Sequence, residues 1–548
     1  MPCVGCGATT VPGAAFCGAC GAAVDESDCG EPEADRQVDA AKGRGAEAVR
    51  STPVRYTAAR SAAVGPDDGR PAGPATQPSE VAPHRAADGD LTRYLCAAAY
   101  LDREYAKLLV KQIAAEPHLA VAAAPACDVP VVLRHAYAAN ARRHQRDLLL
   151  AVLLLLVFVF TVSASGPLLT LLTLLLAWGT VLAFELSTMF GSHLQDLRPE
   201  SFDPEAAPTA PHQDAEARLQ QVGAYATGNV TVYSGYSPFV GYGVELDSWS
   251  FALDVTKPGG SGDIPRDFDV TDLYAHVADR LGPLVLPDLR IEERLFVDGS
   301  DIVGDQRFLP DSLGRPVAEV SQEQLDALKR APEDRARPYL AVHSTGWGGE
   351  LVTSLFVRFY RSESNLSVEA VHTVLCPLLE RYRIIDTLLP SPSVGDFAKK
   401  TSETMVSTFF MLLASPARAV MGFAPDFGMT RRVRRQNRMI TRLHRFDYGA
   451  RLSVRQQASD TNYHRYFQKL DTKMALKVAE RRVLDALVEF AEKNGIDVGD
   501  LVQRQETIIN NGIIATSGAT VESSSVASGK KASISIDIPL KLPRLKLD

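Results

Sequence analysis

From Leu148 to Phe184 the chain carries no charged side chain. As one helix that run would be about 55 Å long, against a bilayer hydrocarbon layer of about 30 Å. Ser163-Ala164-Ser165 followed by Gly166-Pro167 divides it. Two helices are therefore expected, near 147–164 and 167–189, forming a two-span transmembrane hairpin over 147–190. Strings such as LLLAVLLLLVFVF have no polar face to present to water, which argues against a hairpin buried in a soluble domain. The run lies too far along the chain for a cleaved signal peptide.

The flanks set an expected orientation. Arg142, Arg143 and Arg146 precede the first helix, and the turn between the helices holds no Lys or Arg. The positive-inside rule puts the N-terminal side in the cytosol, and two crossings return 191–548 to it. The expected location is the plasma (inner) membrane, with both termini cytosolic. Glu185 falls near the cytosolic end of the second helix, where a carboxylate reaches the headgroups.

Four of the eight cysteines stand at the N-terminus as Cys3-x-x-Cys6 and Cys17-x-x-Cys20, each pair followed by glycine. Such a gap lets one tight turn aim two thiolates at a single ion, and two turns close a tetrahedral site with no position left for catalysis. CVGCGATTVPGAAFCGACGAAV resembles the short zinc-ribbon modules at the N-termini of many prokaryotic proteins, a likeness confined to 1–24. One structural zinc ion on Cys3, Cys6, Cys17 and Cys20 is the expected cofactor, and its thiolates also favour a reducing compartment. Cys29 reads as a linker thiol, and Cys96, Cys127 and Cys376 as core residues. Residues 25–90 are rich in Ala, Pro, Gly and charge, too poor in large apolar groups to fold, and are expected to form a disordered linker.

The remaining mass divides further. Residues 91–146 read as juxtamembrane helices. LTRYLCAAAYLDREYAKLLVKQIAAE has the spacing of one amphipathic helix of more than five turns, Pro125 and Pro130 interrupt the pattern, and a second helix then runs into the bilayer. After a spacer at 191–217, a cytosolic α+β domain is expected over 218–392. NVTVYSGYSPF and LDSWSFALDV read as two strands around a Gly/Tyr loop, and VTDLYAHVADRL as a helix. RIEERLFVDG is a strand, SQEQLDALKRA a helix capped by Ser321, and RPYLAVHST begins a three-strand meander. Short connections imply an antiparallel sheet. The fold class is thus multi-domain: zinc ribbon, transmembrane hairpin, α+β domain and a helical C-terminal part.

That last part spans 393–507. TMVSTFFMLLASPARAVMGF is apolar but broken by Pro416 and Arg418. The basic run after it carries Arg431, Arg432, Arg434, Arg435, Arg438, Arg442 and Arg445, expected to face anionic lipid headgroups. A long helix over about 466–494 ends at Asn494-Gly495 with Ile496 as a hydrophobic cap, and a short one follows near 498–507. Residues 508–548 form a Ser/Gly-rich, β-prone tail with a turn signal at Asn511-Gly512. The tail resembles Gly/Ser-punctuated assembly tails of some bacterial signalling proteins, which would make the chain a homo-oligomer.

No catalytic motif stands out. Ser237 lacks the second glycine of a nucleophile elbow, since Phe239 occupies that place, and Ser528-Gly529-Lys530-Lys531 lacks the frame of a phosphate-binding loop. His343 and His372, with Glu350, Glu369 and Asp386, are the groups that could meet in space. A net charge of −8 and few aromatics among the arginines argue against nucleic acid. The expected function is a non-enzymatic adaptor or sensor binding protein partners at the membrane. The alternatives are a defence-type effector that self-assembles through its tail, and a membrane-surface enzyme with its site in the α+β domain.

Overall fold

The computed structural model describes residues 88–514 except 164–166, 261–263, 389–390 and 392, with backbone only at 88–89, 421–428, 430 and 510–514. The zinc-ribbon segment, the linker as far as residue 87 and the tail from 515 lie outside the described residues.

The chain enters as α1 (Asp88–Leu101) and α2 (Arg103–Leu109). Periodicity predicts one helix here, but Asp102 splits it. Its extended backbone frees the carboxylate to accept from the amides of Glu104 (3.0 Å) and Tyr105 (3.1 Å), capping a new helix. Neither helix is a separate approach to the membrane. Leu91, Leu95, Tyr105 and Leu109 are buried in one core with Val230, Leu295 and Tyr448 from the body.

Helix α3 (Val129–Val162) starts where the Asp128 carboxylate accepts from the Val131 amide at 3.1 Å. Pro130 sits in the first turn, where its missing N–H leaves no carbonyl unpaired, so it opens the helix instead of interrupting it. The first half of α3 buries Val132, Leu133 and Ala136 in the core. The second half exposes Val152, Leu155, Phe158 and Val162, and α4 (Pro167–Met189) exposes Leu168, Leu172 and Leu176. Both are long and apolar enough to cross a membrane, with mean hydropathy 2.1 and 2.0 over their best windows.

Six strands form one sheet: β1 (Val230–Tyr233), β2 (Val244–Asp254), β3 (Leu289–Asp298), β4 (Ala336–Gly346), β5 (Leu351–Arg361) and β6 (Asn365–Leu375). Their order is β1-β3-β4-β5-β6-β2. The β4–β5–β6 meander is antiparallel as expected, and β3 and β2 join it antiparallel. β1 instead pairs parallel to β3 through Val230 and Leu295, so the sheet is mixed and not wholly antiparallel. β1 and β2 are also not neighbours; they hold opposite edges.

The Gly/Tyr loop that joins them crosses one face of the sheet. Phe239 and Tyr242 anchor it there in an aromatic cluster with Phe296, Tyr339 and Phe356, the Phe239 and Phe356 rings stacked at 4.7 Å. Gly243 then enters β2 at φ +90°, where an added Cβ would come within 1.9 Å of the Val374 carbonyl oxygen.

Helix α5 (Val270–Leu281) covers the opposite face, burying Tyr274 and Val277 on Leu340, Val357 and Phe359. Helix α6 (Gln322–Arg330) opens on the expected Ser321, in a reciprocal capping box with Gln324. Next come α7 (Val394–Leu413) and α8 (Ser415–Arg438), then α9 (Tyr466–Lys493) beside α5 on the sheet. α9 stops as its sequence demands: Gly495 takes φ +71°, and buried Ile496 donates its amide to the Ala491 carbonyl at 3.0 Å. The last helix, α10 (Gly499–Ile514), outruns its expected end. Ile508 and Ile509 pack on the sheet's helical layer, and that burial carries the helix through the Asn511-Gly512 turn signal.

Gly243→Ala combines a disfavoured backbone with a clash on a fixed carbonyl. It is expected to destabilise the protein by about 2 kcal/mol or more, read as a lower Tm in detergent; an unchanged Tm would contradict the loop-crossing geometry.

Candidate functional site at the membrane junction

Where the charged part of α3 meets its apolar part, four arginines gather. Arg142, Arg143 and Arg146 lie on α3 within the two turns before Leu148, and Arg103 comes from the start of α2. Asp147, almost wholly buried, accepts from Arg103 Nη2 (3.3 Å) and Arg146 Nη2 (3.2 Å). Glu185 on α4 lies 3.7 Å from Arg146 Nη1, so the carboxylate expected to reach headgroups is in fact held in an ion pair. Arg143 donates to the carbonyls of Ala99 (2.9 Å) and Tyr100 (2.6 Å). Arg142 donates to Ser187 Oγ and holds its guanidinium over the Phe184 ring at 5.4 Å. The four arginines, Phe184 and Glu185 line a half-open cavity of about 200 Å³, bounded on another side by Met411 of α7.

The apolar segment before the basic run is built from two helices joined end to end. α7 and α8 meet at Ala414, with Pro416 in the first turn of α8, a position that suits proline. Leu412 is buried among Leu150, Leu153, Ala177 and Val181, on the candidate spans themselves. Met405, Val406, Phe409, Phe410 and Leu413 stay exposed, at 66–72 % of their full area. Arg418 donates its guanidinium to the Met411 carbonyl in the last turn of α7 (2.9 Å) and to that of Ala414 (3.3 Å), which also accepts the Arg418 amide at 3.1 Å. A cation used in this way lets a helix end sit in apolar surroundings.

The basic run continues α8 away from that turn. Arg431 lies about 24 Å along the helix axis from Ser415. Arg432 pairs with Glu116 at 2.6 Å, and Gln436 donates to the same buried carboxylate at 2.9 Å. One of the seven arginines expected at the headgroups is therefore used to dock α8 on the body. Arg431, Arg434, Arg435, Arg438 and Arg442 are exposed on α8 and the turn after it.

The histidines and acids singled out from sequence do not converge. His343 on β4 holds Ser354 Oγ at 2.7 Å and lies 3.5 Å from Glu292, a serine–histidine–carboxylate alignment that cross-strand register produces directly. Ser354 is fully buried, however, and the Tyr242 ring stacks flat on the imidazole at 5.1 Å. Burial holds His343 neutral by lowering its pKa. Burial alone would raise Glu292, but its hydrogen bond to His343 and the Arg294 charge outweigh that and bring it to about 2. With the loop seated, the hydroxyl has no path to a substrate. His372 lies instead 3.4 Å from Glu480, which also accepts from Trp249 Nε1 at 2.6 Å. Glu350 pairs with Arg383, Glu369 with Arg358 at 3.3 Å, and Asp386 with Arg93 at 2.6 Å, each in its own place. Ser237 is exposed on the loop.

Among the described residues, no group of three His, Cys, Asp or Glu side chains is placed to hold a metal ion. The proposed zinc ligands Cys3, Cys6, Cys17 and Cys20 fall outside those residues. Cys96 and Cys376 are buried and Cys127 half-buried, as their isolation suggested. Burial pushes the Cys127 thiol up to about 12 and the Cys376 thiol to about 11, so both stay protonated.

The molecule is thus a mixed-sheet α+β body built onto a pair of helices long and apolar enough to span a membrane. A family model described as an AbeC-like domain matches residues 248–522, half of the chain, and the chain belongs to that family. The match begins within β2 and takes in the β3–β6 part of the sheet with α5–α10, leaving α1–α4 and β1 outside it. No curated protein and no solved structure matches the chain.

Lipid exposure of α7 has a direct readout. A hydrophobic photoreactive probe dissolved in the bilayer is expected to tag peptides covering 405–413 as well as those of α3 and α4; tagging of α3 and α4 alone would place α7 outside the lipid.

Proposed function

We propose that this protein is a membrane-anchored, non-enzymatic adaptor or sensor whose body works against the bilayer surface. The observation that carries the reading is α3, which runs without a break from the body's core into the apolar run. A state sensed in one medium is then mechanically available in the other. Arg142, Arg143 and Arg146 on the body side, with no basic residue in the turn opposite, support an inner-membrane hairpin with both tails in the cytosol. The exposed arginines of α8 extend a positive field from the same side toward anionic lipid.

In this reading the N-terminal segment is a zinc ribbon on a long tether, with Cys3, Cys6, Cys17 and Cys20 holding one ion and the module capturing protein partners. A second reading, a defence-type effector assembled through the C-terminal tail, takes its support from the defence-associated name of the family. A truncation that tests it should begin at 515, because Ile508 and Ile509 pack in the body.

Proximity labelling from membranes separates the two. For the adaptor, Cys3→Ser/Cys17→Ser loses zinc and the labelled partners while the protein stays membrane-bound, and removal of 515–548 leaves the partner set and oligomer size intact. Unchanged partners in the cysteine variant, with oligomers lost on truncation, would replace the adaptor by the effector.

A further inference from the structure

The cavity between α1, α3, α4 and α7 is positively charged beyond what its own acids neutralise. Arg103, Arg142, Arg143 and Arg146 face Asp147 and Glu185, and both ion pairs of Asp147 go to Arg103 and Arg146. Arg142 and Arg143 are held by a hydroxyl, a ring face and two backbone carbonyls, all neutral. Each also keeps one buried donor without a partner, Arg142 Nε and Arg143 Nη1. Both side chains are half-buried with Glu185 acting on both, and the unmatched buried donor on each carries a cost. Two such groups on successive residues of α3, both lining the cavity, leave donors for an anion.

Position and size specify the anion. Arg142, Arg143 and Arg146 fall within the two turns before the uncharged run, Phe184 ends it and Glu185 follows, so the cavity sits at the body-side rim of the candidate spans. At about 200 Å³ it is smaller than the roughly 300–1,000 Å³ of pockets that take drug-sized ligands. It suits a tetrahedral oxyanion, whose oxygens match the forked donors of guanidinium groups. Met411 and Phe184 make an apolar wall that leads onto the exposed faces of α4 and α7.

We infer that the Arg142–Arg143 cavity binds the phosphate of an anionic phospholipid, with the acyl chains lying along α4 and α7. Glu185 competes for the same charge, since it stands beside Arg146 at the cavity wall. The site rests on the reading of α3 and α4 as membrane helices and adds to it a headgroup-specific contact that could report lipid composition to the body.

The test uses the full chain in detergent micelles, with Tm followed as phosphatidylglycerol, phosphatidylcholine or inorganic phosphate is added. Phosphatidylglycerol is expected to raise Tm saturably and well beyond phosphatidylcholine. Arg142→Gln/Arg143→Gln should weaken that response about tenfold or more, the scale of one or two lost charge-assisted hydrogen bonds. Glu185→Gln should strengthen it severalfold, an effect of opposite sign that damage to the fold would not produce. Equal responses in wild type and the double variant would overturn the site. A shift reproduced by inorganic phosphate alone would overturn the lipid assignment and make it a soluble-anion site. Because the readout is in micelles, failure here leaves the partner-capture result of the adaptor reading untouched, and the reverse also holds.

Discussion

One helix carries two kinds of surface. Over its first half α3 buries an apolar stripe in the body's core, and beyond Leu148 it offers hydrocarbon on every side. Only an α-helix can do both without exposing backbone polar groups where no water can reach them. The belt from Arg142 to Asp147 marks the change, and everything charged there is tied to a neighbour from α1, α2 or α4. Because no loop separates the two halves, the body cannot swivel freely against α3. α7 adds a second attachment through Leu412, so the body is held to the apolar helices at two places.

Local signals gave the elements, and long-range packing decided their arrangement. The uncharged run, the Ser321 cap, the Asn494-Gly495 stop and the three-strand meander depend on neighbouring residues and were legible for that reason. The sheet order was not. Parallel pairing of β1 with β3 is chosen by contacts between distant segments, and the intervening loop was free to cross the sheet because Phe239 and Tyr242 gain an aromatic cluster there. Asp102 shows the opposite failure, a local cap that overrode a longer apolar period.

The candidate site was legible in part. Arg142, Arg143, Arg146 and Glu185 stood out as the flanks of the apolar run, and that was the signal available. Arg103 and Met411 were missed, because only the folded chain brings α2 and α7 to α3. The basic run of α8 drew attention for its density, yet Arg432 is committed to Glu116, a partner no spacing rule could supply. His343, Ser354 and Glu292 carry a converse lesson. An alignment that resembles catalytic machinery is here a buried polar group matched across strands and sealed by an aromatic ring.

The central claim, that α3 and α4 plant the body against one face of a bilayer, is open to direct measurement by cysteine accessibility. Ser163→Cys, at the far end of α3, and Ser201→Cys, on the body side beyond α4, are compared in intact cells with a membrane-impermeant maleimide. The account predicts that only the first is labelled before lysis and that both are labelled after it. Labelling of the Ser201→Cys protein in unbroken cells, or protection of both positions in isolated membranes after lysis, would contradict it.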